Sequence, residues 1–164
     1  MKKIIKRVFL VLLAIITLAA ALIAVEYFGG QPMGLFAGSR PANLGYSNSR
    51  FSPPSWKPNC VSSTVEKSDK HYIEPLAFSG APDAAWKQLQ VIIKATPRIN
   101  VIQDSPVYLY AEFKSAGLGF VDDVEFALDE KTGVIHVRSA ARLGVRDFDV
   151  NRKRIESIRA QMRK

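Results

Sequence analysis

The chain has 164 residues, with 23 lysines and arginines against 15 aspartates and glutamates and a net charge of +8 at pH 7. This length suits one domain of ordinary size with additional segments. The charge excess lies in residues 2–7 and 146–164, so the middle is nearly neutral and nucleic acid is not expected as a partner. The two histidines and the single cysteine match no metal or nucleophile motif, so no metal ligand, cofactor or catalytic residue is predicted.

An apolar run follows the basic N-terminus. Val8 to Val25 has Thr17 as its only polar side chain, and as a helix it would span about 27 Å, close to the thickness of a bilayer core. Because positive charges precede the run, we expect a single-pass anchor in the inner (plasma) membrane, with a cytoplasmic N-terminus and a periplasmic or extracellular remainder. The alternative is a signal peptide cleaved near Ala19–Ala21, after which the domain would be secreted.

Composition divides the chain into three predicted segments. We expect residues 1–27 to form a cytoplasmic basic tail and transmembrane helix, and residues 28–58 to form a spacer rich in glycine, proline and serine. Residues 59–164 are expected to form an extracytoplasmic domain. Cys60, near its start, is interpreted as a small buried side chain, with a reactive thiol as the alternative.

The domain is predicted to contain strands and helices in the order β-α-β4-α. The apolar spacing between Pro82 and Pro97 predicts one helix, and the stripe from Val150 to Met162 predicts another, capped by Asp147 or Asp149. Strands are predicted at residues 71–78, 99–103, 107–115, 120–129 and 134–142. This order predicts an α+β fold, an antiparallel sheet with two helices packed on one face.

The last two strands are predicted to form a hairpin with a four-residue turn at 129–132. Matching their apolar faces sets Phe126 opposite Ile135 and Val124 opposite Val137. The same register places the charged side chains of the hairpin on an outer, exposed face, where cross-strand ion pairs contribute roughly 0.2–1 kcal/mol. The expected pairs there are Asp123 with Arg138 and Glu125 with His136.

Asp122 differs because it falls opposite Ser139 on the inner, mostly apolar face. A buried carboxylate without partners costs several kcal/mol, so we expect donors from Ser139, from an arginine of residues 137–154, or from the last helix. Two interpretations stay open: a polar clasp between hairpin and helix, or a carboxylate with a shifted pKa in a pocket. The candidate polar cluster comprises Asp122, Asp123, Glu125, Arg138, Ser139, Arg142, Asn151 and Arg152.

Four stretches also carry a family resemblance. They are "NCVSS" at 59–63, "GFVDDVEFALD" at 119–129, "IHVRSAARLGVRDFDVNRKRIE" at 135–156, and the helix with Trp86 and Leu89. Over about residues 44–162 the chain resembles the family called domain of unknown function 1499. The resemblance implies an N-terminal membrane segment and supplies no activity, cofactor or catalytic residue. Family sequences often place a second cysteine shortly before "PNC", where this chain has none.

Two functions of different classes are compatible with these residues. The first is a membrane-tethered, non-enzymatic envelope domain that binds a lipid, an apolar ligand or a partner protein. In that case aromatic side chains would either line a cavity or fill the core; they are Tyr72, Trp86, Tyr108, Tyr110, Phe113 and Phe120. The second is an envelope enzyme, hydrolase-like, that uses Asp122 with Ser139 and a neighbouring arginine.

Overall fold

The computed structural model describes residues 2–28 and 36–163. The chain divides into two compact units, Met1–Gly34 and Leu35–Lys164. The first unit contains helix α1, Lys2–Phe28. Its stretch Lys3–Ala21 is long and apolar enough to cross a membrane, and a signal sequence has the same properties. The predicted apolar N-terminal helix is therefore confirmed, and membrane association is weakly suggested.

The second unit is built on an antiparallel sheet of six strands in the order β3-β8-β7-β6-β5, with β4 also paired to β8. A separate two-stranded hairpin, β1 with β2, precedes it. The strands are β1 Tyr46–Ser47, β2 Arg50–Phe51, β3 Cys60–Ser62, β4 Leu76–Ala77, β5 Ile99–Asp104, β6 Tyr108–Lys114, β7 Val121–Asp129 and β8 Val134–Ala141. The predicted α+β class is confirmed.

Two helices cover the inner face of the sheet, as predicted. Helix α2 is Pro82–Ala95, and helix α3 is Val150–Met162. The apolar stripe of α2, with Trp86, Leu89 and Ile93, packs into one core with the inward side chains of β6, β7 and β8. Proline fits the first turn of α2 because its missing N–H has no intrahelical acceptor there.

The predicted first strand and the predicted cap of α3 differ from the structure in detail. Of residues 71–78, only Leu76–Ala77 form a strand, whereas the unpredicted strand Cys60–Ser62 pairs with β8. At the start of α3, Asp149 has φ +63° and makes no side-chain cap bond. Asp147 accepts the hydrogen bond from the Asn151 N–H at 3.0 Å instead, so the cap comes from Asp147.

The predicted register of the β7–β8 hairpin is wrong by two residues. The turn comprises residues 130–133 rather than 129–132, and Phe126 pairs with Val137 instead of Ile135. Moving a four-residue turn by one position changes the register by two, which leaves every side chain on its predicted face. Gly133 closes the turn at φ +66°, in the region that glycine adopts without strain.

The prediction of an exposed outer face is also wrong. Asp123 and Glu125 are 1% and 0% exposed, because residues 36–58 lie across this face. Residues 36–58 are here called the outer strap. Within the strap, Phe51 is buried and the Gly45 N–H donates to Glu125. They belong to the predicted spacer 28–58, of which 29–35 lie outside the described residues. The described part of that segment packs on the sheet.

Candidate functional site

The eight residues of the candidate polar cluster lie in three places. Alternation along β7 and β8 directs Asp123, Glu125, Arg138 and Arg142 to the outer face, under the strap. The same alternation directs Asp122 and Ser139 to the inner face, where Asn151 of α3 joins them. Arg152 lies apart from both groups and donates to the carbonyl of Tyr72 at 2.8 Å.

On the outer face, Arg142 connects two carboxylates. Its Nη2 lies 2.7 Å from Asp123 Oδ1, and its Nε lies 3.0 Å from Asp123 Oδ2, so the pair is bidentate. Nη2 also contacts Glu112, which receives a second arginine, Arg40 of the strap, at 2.7 Å. The Tyr110 hydroxyl donates to Asp123 Oδ1 at 2.6 Å. Two carboxylates and two arginines therefore form one continuous group.

Glu125 is the centre of a second outer group. Its Oε2 accepts from Arg138 Nη1 at 3.0 Å, and its Oε1 accepts from the Tyr108 hydroxyl at 2.8 Å. The backbone N–H of Gly45 adds a third donor at 2.7 Å. Arg138 also donates through Nε to the carbonyl of Ser52 at 3.1 Å. Glu125 and Arg138 are thus the points at which the sheet holds the strap. Together the two groups are called the outer network.

The electrostatics of the outer network follow from its pairing. Burial alone would raise the pKa of Glu112, but hydrogen bonds and charges from Arg142 and Arg40 outweigh it and hold the pKa below its usual value. Burial raises the pKa of Tyr108, and the neighbouring Glu125 raises it further. The two shifts favour a charged Glu112 carboxylate and a protonated Tyr108 phenol near neutral pH.

On the inner face, four side chains form a group called here the inner clasp. Arg154 Nη2 lies 2.5 Å from Asp122 Oδ2, and Arg154 Nη1 donates to Ser139 Oγ at 2.9 Å. Ser139 Oγ donates to Asn151 Oδ1 at 2.5 Å, and Asn151 Nδ2 donates to the carbonyl of Asn59. These bonds tie β7, β8 and α3 to the start of β3, which agrees with the predicted polar clasp.

The inner clasp offers no open reaction site. Ser139 and Asn151 have no exposed surface, and the Arg154 guanidinium lies over the Phe113 ring at 4.8 Å. Burial raises the pKa of Asp122, and the charge of Arg154 lowers it only in part. Every buried side-chain nitrogen and oxygen among the described residues has a hydrogen-bond partner. Asp122 thus has the shifted pKa expected of a pocket carboxylate, but in a closed packing site.

A small open cleft lies beside Cys60 and has a volume of about 120 Å³. His71, on its wall, bridges the Asp69 carboxylate at 2.8 Å and the Lys57 carbonyl at 3.0 Å. Burial raises the pKa of the Cys60 thiol to about 11, so the sulfur is protonated at neutral pH. Arg152 also lines this cleft. Small-molecule sites typically enclose about 300–1,000 Å³, so the cleft suits a few waters rather than a ligand.

Several residues that complete these groups lie outside the eight-residue candidate cluster. They are Arg40, Tyr108, Tyr110, Glu112, Asp147 and Arg154. Arg154 is one of the arginines of residues 137–154 that were expected to donate to Asp122. Alternation along β6 sets Tyr108, Tyr110 and Glu112 on one face, and that signal is visible in the sequence. Arg40 has no such signal, because it lies in the strap. Within the described residues, no group of three or more His, Cys, Asp or Glu is placed to hold a metal ion.

The outer network and the inner clasp account for most of the distinctive sequence stretches. Residues 119–129 supply Asp122, Asp123 and Glu125, and residues 135–156 supply their arginine, serine and asparagine partners. A family model described as "Protein of unknown function (DUF1499)" matches residues 50–162. The chain belongs to the DUF1499 family. The family match begins within the strap, so the DUF1499 region includes part of the segment that covers the outer face. A search of curated proteins found no match to the chain.

Proposed function

We propose that this DUF1499 protein is a membrane-tethered domain of the cell envelope that acts by binding at its surface. In this proposal α1 is retained in the inner membrane, the N-terminus is cytoplasmic, and residues 36–163 are outside the cytoplasm. The exposed apolar stretch Lys3–Ala21 and the basic residues around it support this orientation. The binding partner is a lipid or another envelope protein.

The observation that carries the binding role is the full burial of Ser139, the serine that the hydrolase alternative would use. Ser139 lies between Arg154 and Asn151 with no exposed surface, and no histidine contacts it. A serine nucleophile needs a general base and a path for substrate, and a general acid must reach the reacting atoms. The inner clasp provides no histidine base and no path for substrate to Ser139. This arrangement favours a scaffold over the hydrolase alternative.

An apolar ligand inside the domain receives less support than a partner at the surface. Trp86 and Phe113 are buried in the core, and Trp86 Nε1 donates to the carbonyl of Ser105 at 3.0 Å. Tyr108 and Tyr110 point to the opposite face, where their hydroxyls bind carboxylates. Four of the six aromatic side chains considered as a cavity lining are therefore divided between two packed faces, and we place recognition on the exterior.

The experiment is a pair of reporters fused to the C-terminus of the full chain. Alkaline phosphatase is active only outside the cytoplasm, and green fluorescent protein exported by the Sec pathway is dark. We expect an active phosphatase fusion, a dark fluorescent fusion, and a chain that stays in the membrane after carbonate extraction at its full mass. A matched variant with Leu13→Arg and Ile16→Arg should lose membrane retention. A bright, phosphatase-negative pair would overturn the orientation, and a chain shortened near Ala21 would overturn the anchor.

A further inference from the structure

The exposed apolar side chains of the domain are concentrated at one end. Ten large apolar side chains in residues 36–163 are exposed, and seven belong to the strap's first residue, the β6–β7 turn and the start of α3 with its preceding connection. The seven are Phe36, Leu118, Phe120, Leu143, Val145, Phe148 and Val150. Exposed apolar groups on this scale mark contact surfaces when they lie together.

The topology brings these residues to the same end of the sheet. Because neighbouring strands are antiparallel, the end of β6, the beginning of β7 and the end of β8 lie side by side there. The Arg142 N–H donates to the Val121 carbonyl at this end, at 3.2 Å. The Phe36 ring stacks on Phe120 with centroids 5.1 Å apart. Gly38 packs so closely that an added Cβ would lie 3.1 Å from Leu143 Cγ. The start of the strap and the two connections thus form one surface, called here the apolar end.

Phe148 shows that this exposure is built into the backbone. Its φ is +53°, a left-handed conformation that large side chains adopt rarely, and its side chain is 84% exposed. A strained backbone that holds an aromatic ring in solvent gives the fold no packing benefit. Such a residue is typical of a contact that forms with something outside the domain.

The length of the chain indicates what lies against the apolar end. Phe36, on that end, follows the last residue of α1, Phe28, by eight residues, which span at most about 29 Å when fully extended. If α1 crosses the bilayer, as in the proposed function, the apolar end is held within this distance of the lipid surface. A tether of this length keeps the local concentration of lipid high, so weak contacts by single side chains suffice.

We propose that the apolar end is a membrane-docking surface, whose projecting side chains insert into the lipid interface beside the anchor. Leu118, Val145 and Phe148 lie on connections rather than on a flat sheet face, a form that suits shallow insertion at the headgroup boundary. Arg146, exposed between two of these side chains, can contact lipid phosphates. This inference rests on the membrane anchor of the proposed function.

The test uses the full chain in lipid nanodiscs, in which both sides of the bilayer are accessible to solutes. In a Cys60→Ala background, Leu118→Cys carries a nitrobenzoxadiazole fluorophore, and the matched control carries it at Val91→Cys on α2, where the native side chain is also exposed. Val145→Cys serves as a second label site in case the first variant does not fold. Nitroxide-labelled phosphatidylcholine quenches fluorophores in the bilayer, and iodide quenches those in water.

We expect nitroxide lipid to quench the labels at 118 and 145 at least threefold more strongly than the label at 91, with the opposite order for iodide. Equal iodide quenching at 118 and 91 would overturn the docking surface while leaving the anchor intact. A label at 118 shielded from iodide but unaffected by nitroxide lipid would show a covering protein, such as a second copy, and would also overturn it. A chain that does not remain in the nanodisc would overturn anchor and docking together.

Discussion

On the inner face of the sheet, one carboxylate, Asp122, is paired with one arginine among apolar side chains. On the outer face, three carboxylates are paired with three arginines, of which Arg40 belongs to the strap. Burial raises the carboxyl pKa on both faces, yet Asp122 titrates above its usual value and Glu112 below it. Two features separate these carboxylates. Glu112 is paired with two arginines and Asp122 with one, and the negative charges of Asp147 and Asp123 raise the pKa of Asp122 further.

Arg142→Ala should have the largest effect of the substitutions that test this contrast. It leaves the buried Asp123 without a cation, and losing one partner of a buried ion pair costs about 3–5 kcal/mol. The measurement is urea unfolding of the full chain in mild detergent, followed by the fluorescence of buried Trp86. Arg146→Ala, an exposed arginine of the same connection, is the control and should change the free energy of unfolding by less than about 0.5 kcal/mol. A loss below about 1 kcal/mol for Arg142→Ala would show that water reaches the outer carboxylates.

Arg154→Met should have the next largest effect, because methionine keeps the apolar stem near Phe113 but removes the donors to Asp122 and Ser139. Hydrogen bonds to charged groups contribute about 1.5–3 kcal/mol, so we expect a loss of about 2 kcal/mol in the same unfolding assay. Combining it with Asp122→Asn should recover part of this loss, since no charge is then buried unpaired. If the double variant is less stable than Arg154→Met alone, the inner clasp depends on more than its charge balance.

Tyr108→Phe should cost about 1–1.5 kcal/mol, because it removes one of three donors to Glu125 and leaves the other two in place. Tyr72→Phe is the matched control, since Tyr72 is only half-buried and lies beside the exposed Glu74. Its free energy of unfolding should change by less than about 0.5 kcal/mol. Equal effects of the two substitutions would mean that the Tyr108 hydroxyl contributes nothing specific to the strap.

The smallest expected effects are opposite pH dependences. Asp122 has a raised pKa in the folded state, so its contribution to stability is present below its unfolded value and is lost as the pH rises through the folded value. Glu112 has a lowered pKa, so its contribution is present above its unfolded value and is lost as the pH falls through the folded value.

Unfolding of Asp122→Asn and Glu112→Gln between pH 3 and 7 measures this contrast. The stability difference between the native chain and Asp122→Asn should grow in favour of the native chain as the pH falls. The difference between the native chain and Glu112→Gln should shrink over the same range. If the two stability differences changed with pH in the same direction, the opposite pKa shifts of Asp122 and Glu112 would be contradicted.

Hydrophobic periodicity and two prolines were sufficient to predict α2, α3 and the four long strands β5 to β8. Alternation also assigned each side chain of β7 and β8 to its correct face. It could not fix the register, because a shift of two residues preserves both faces and depends on where the turn begins. Strand Cys60–Ser62 is too short for a period to be visible.

The burial of the outer network could not be predicted from the hairpin alone. Alternation tells which face a charge lies on, but whether that face is covered depends on a segment 72 to 86 residues away. The strap's glycines and prolines resemble those of a linker, and its contacts with the sheet use mainly backbone atoms. Gly45 donates an N–H and Ser52 offers a carbonyl, and neither leaves a side-chain pattern. The exceptions are Arg40, Phe51 and Tyr46, whose ring stacks on His136 of β8.

The long separation between the strap and its partners also has a consequence for the order of folding. During synthesis the strap is made before β6, β7 and β8, and Arg40 precedes Glu112 by 72 residues, while Gly45 precedes Glu125 by 80. Strands β3 and β4 likewise cannot pair in the sheet until β8, their shared neighbour, has been made. Contacts of such sequence distance form slowly, because a long loop must close before they contribute. The nascent chain can therefore pair β5, β6 and β7 with one another as they are made, whereas β3 and β4 have no sheet partner until Val134–Ala141 has been made.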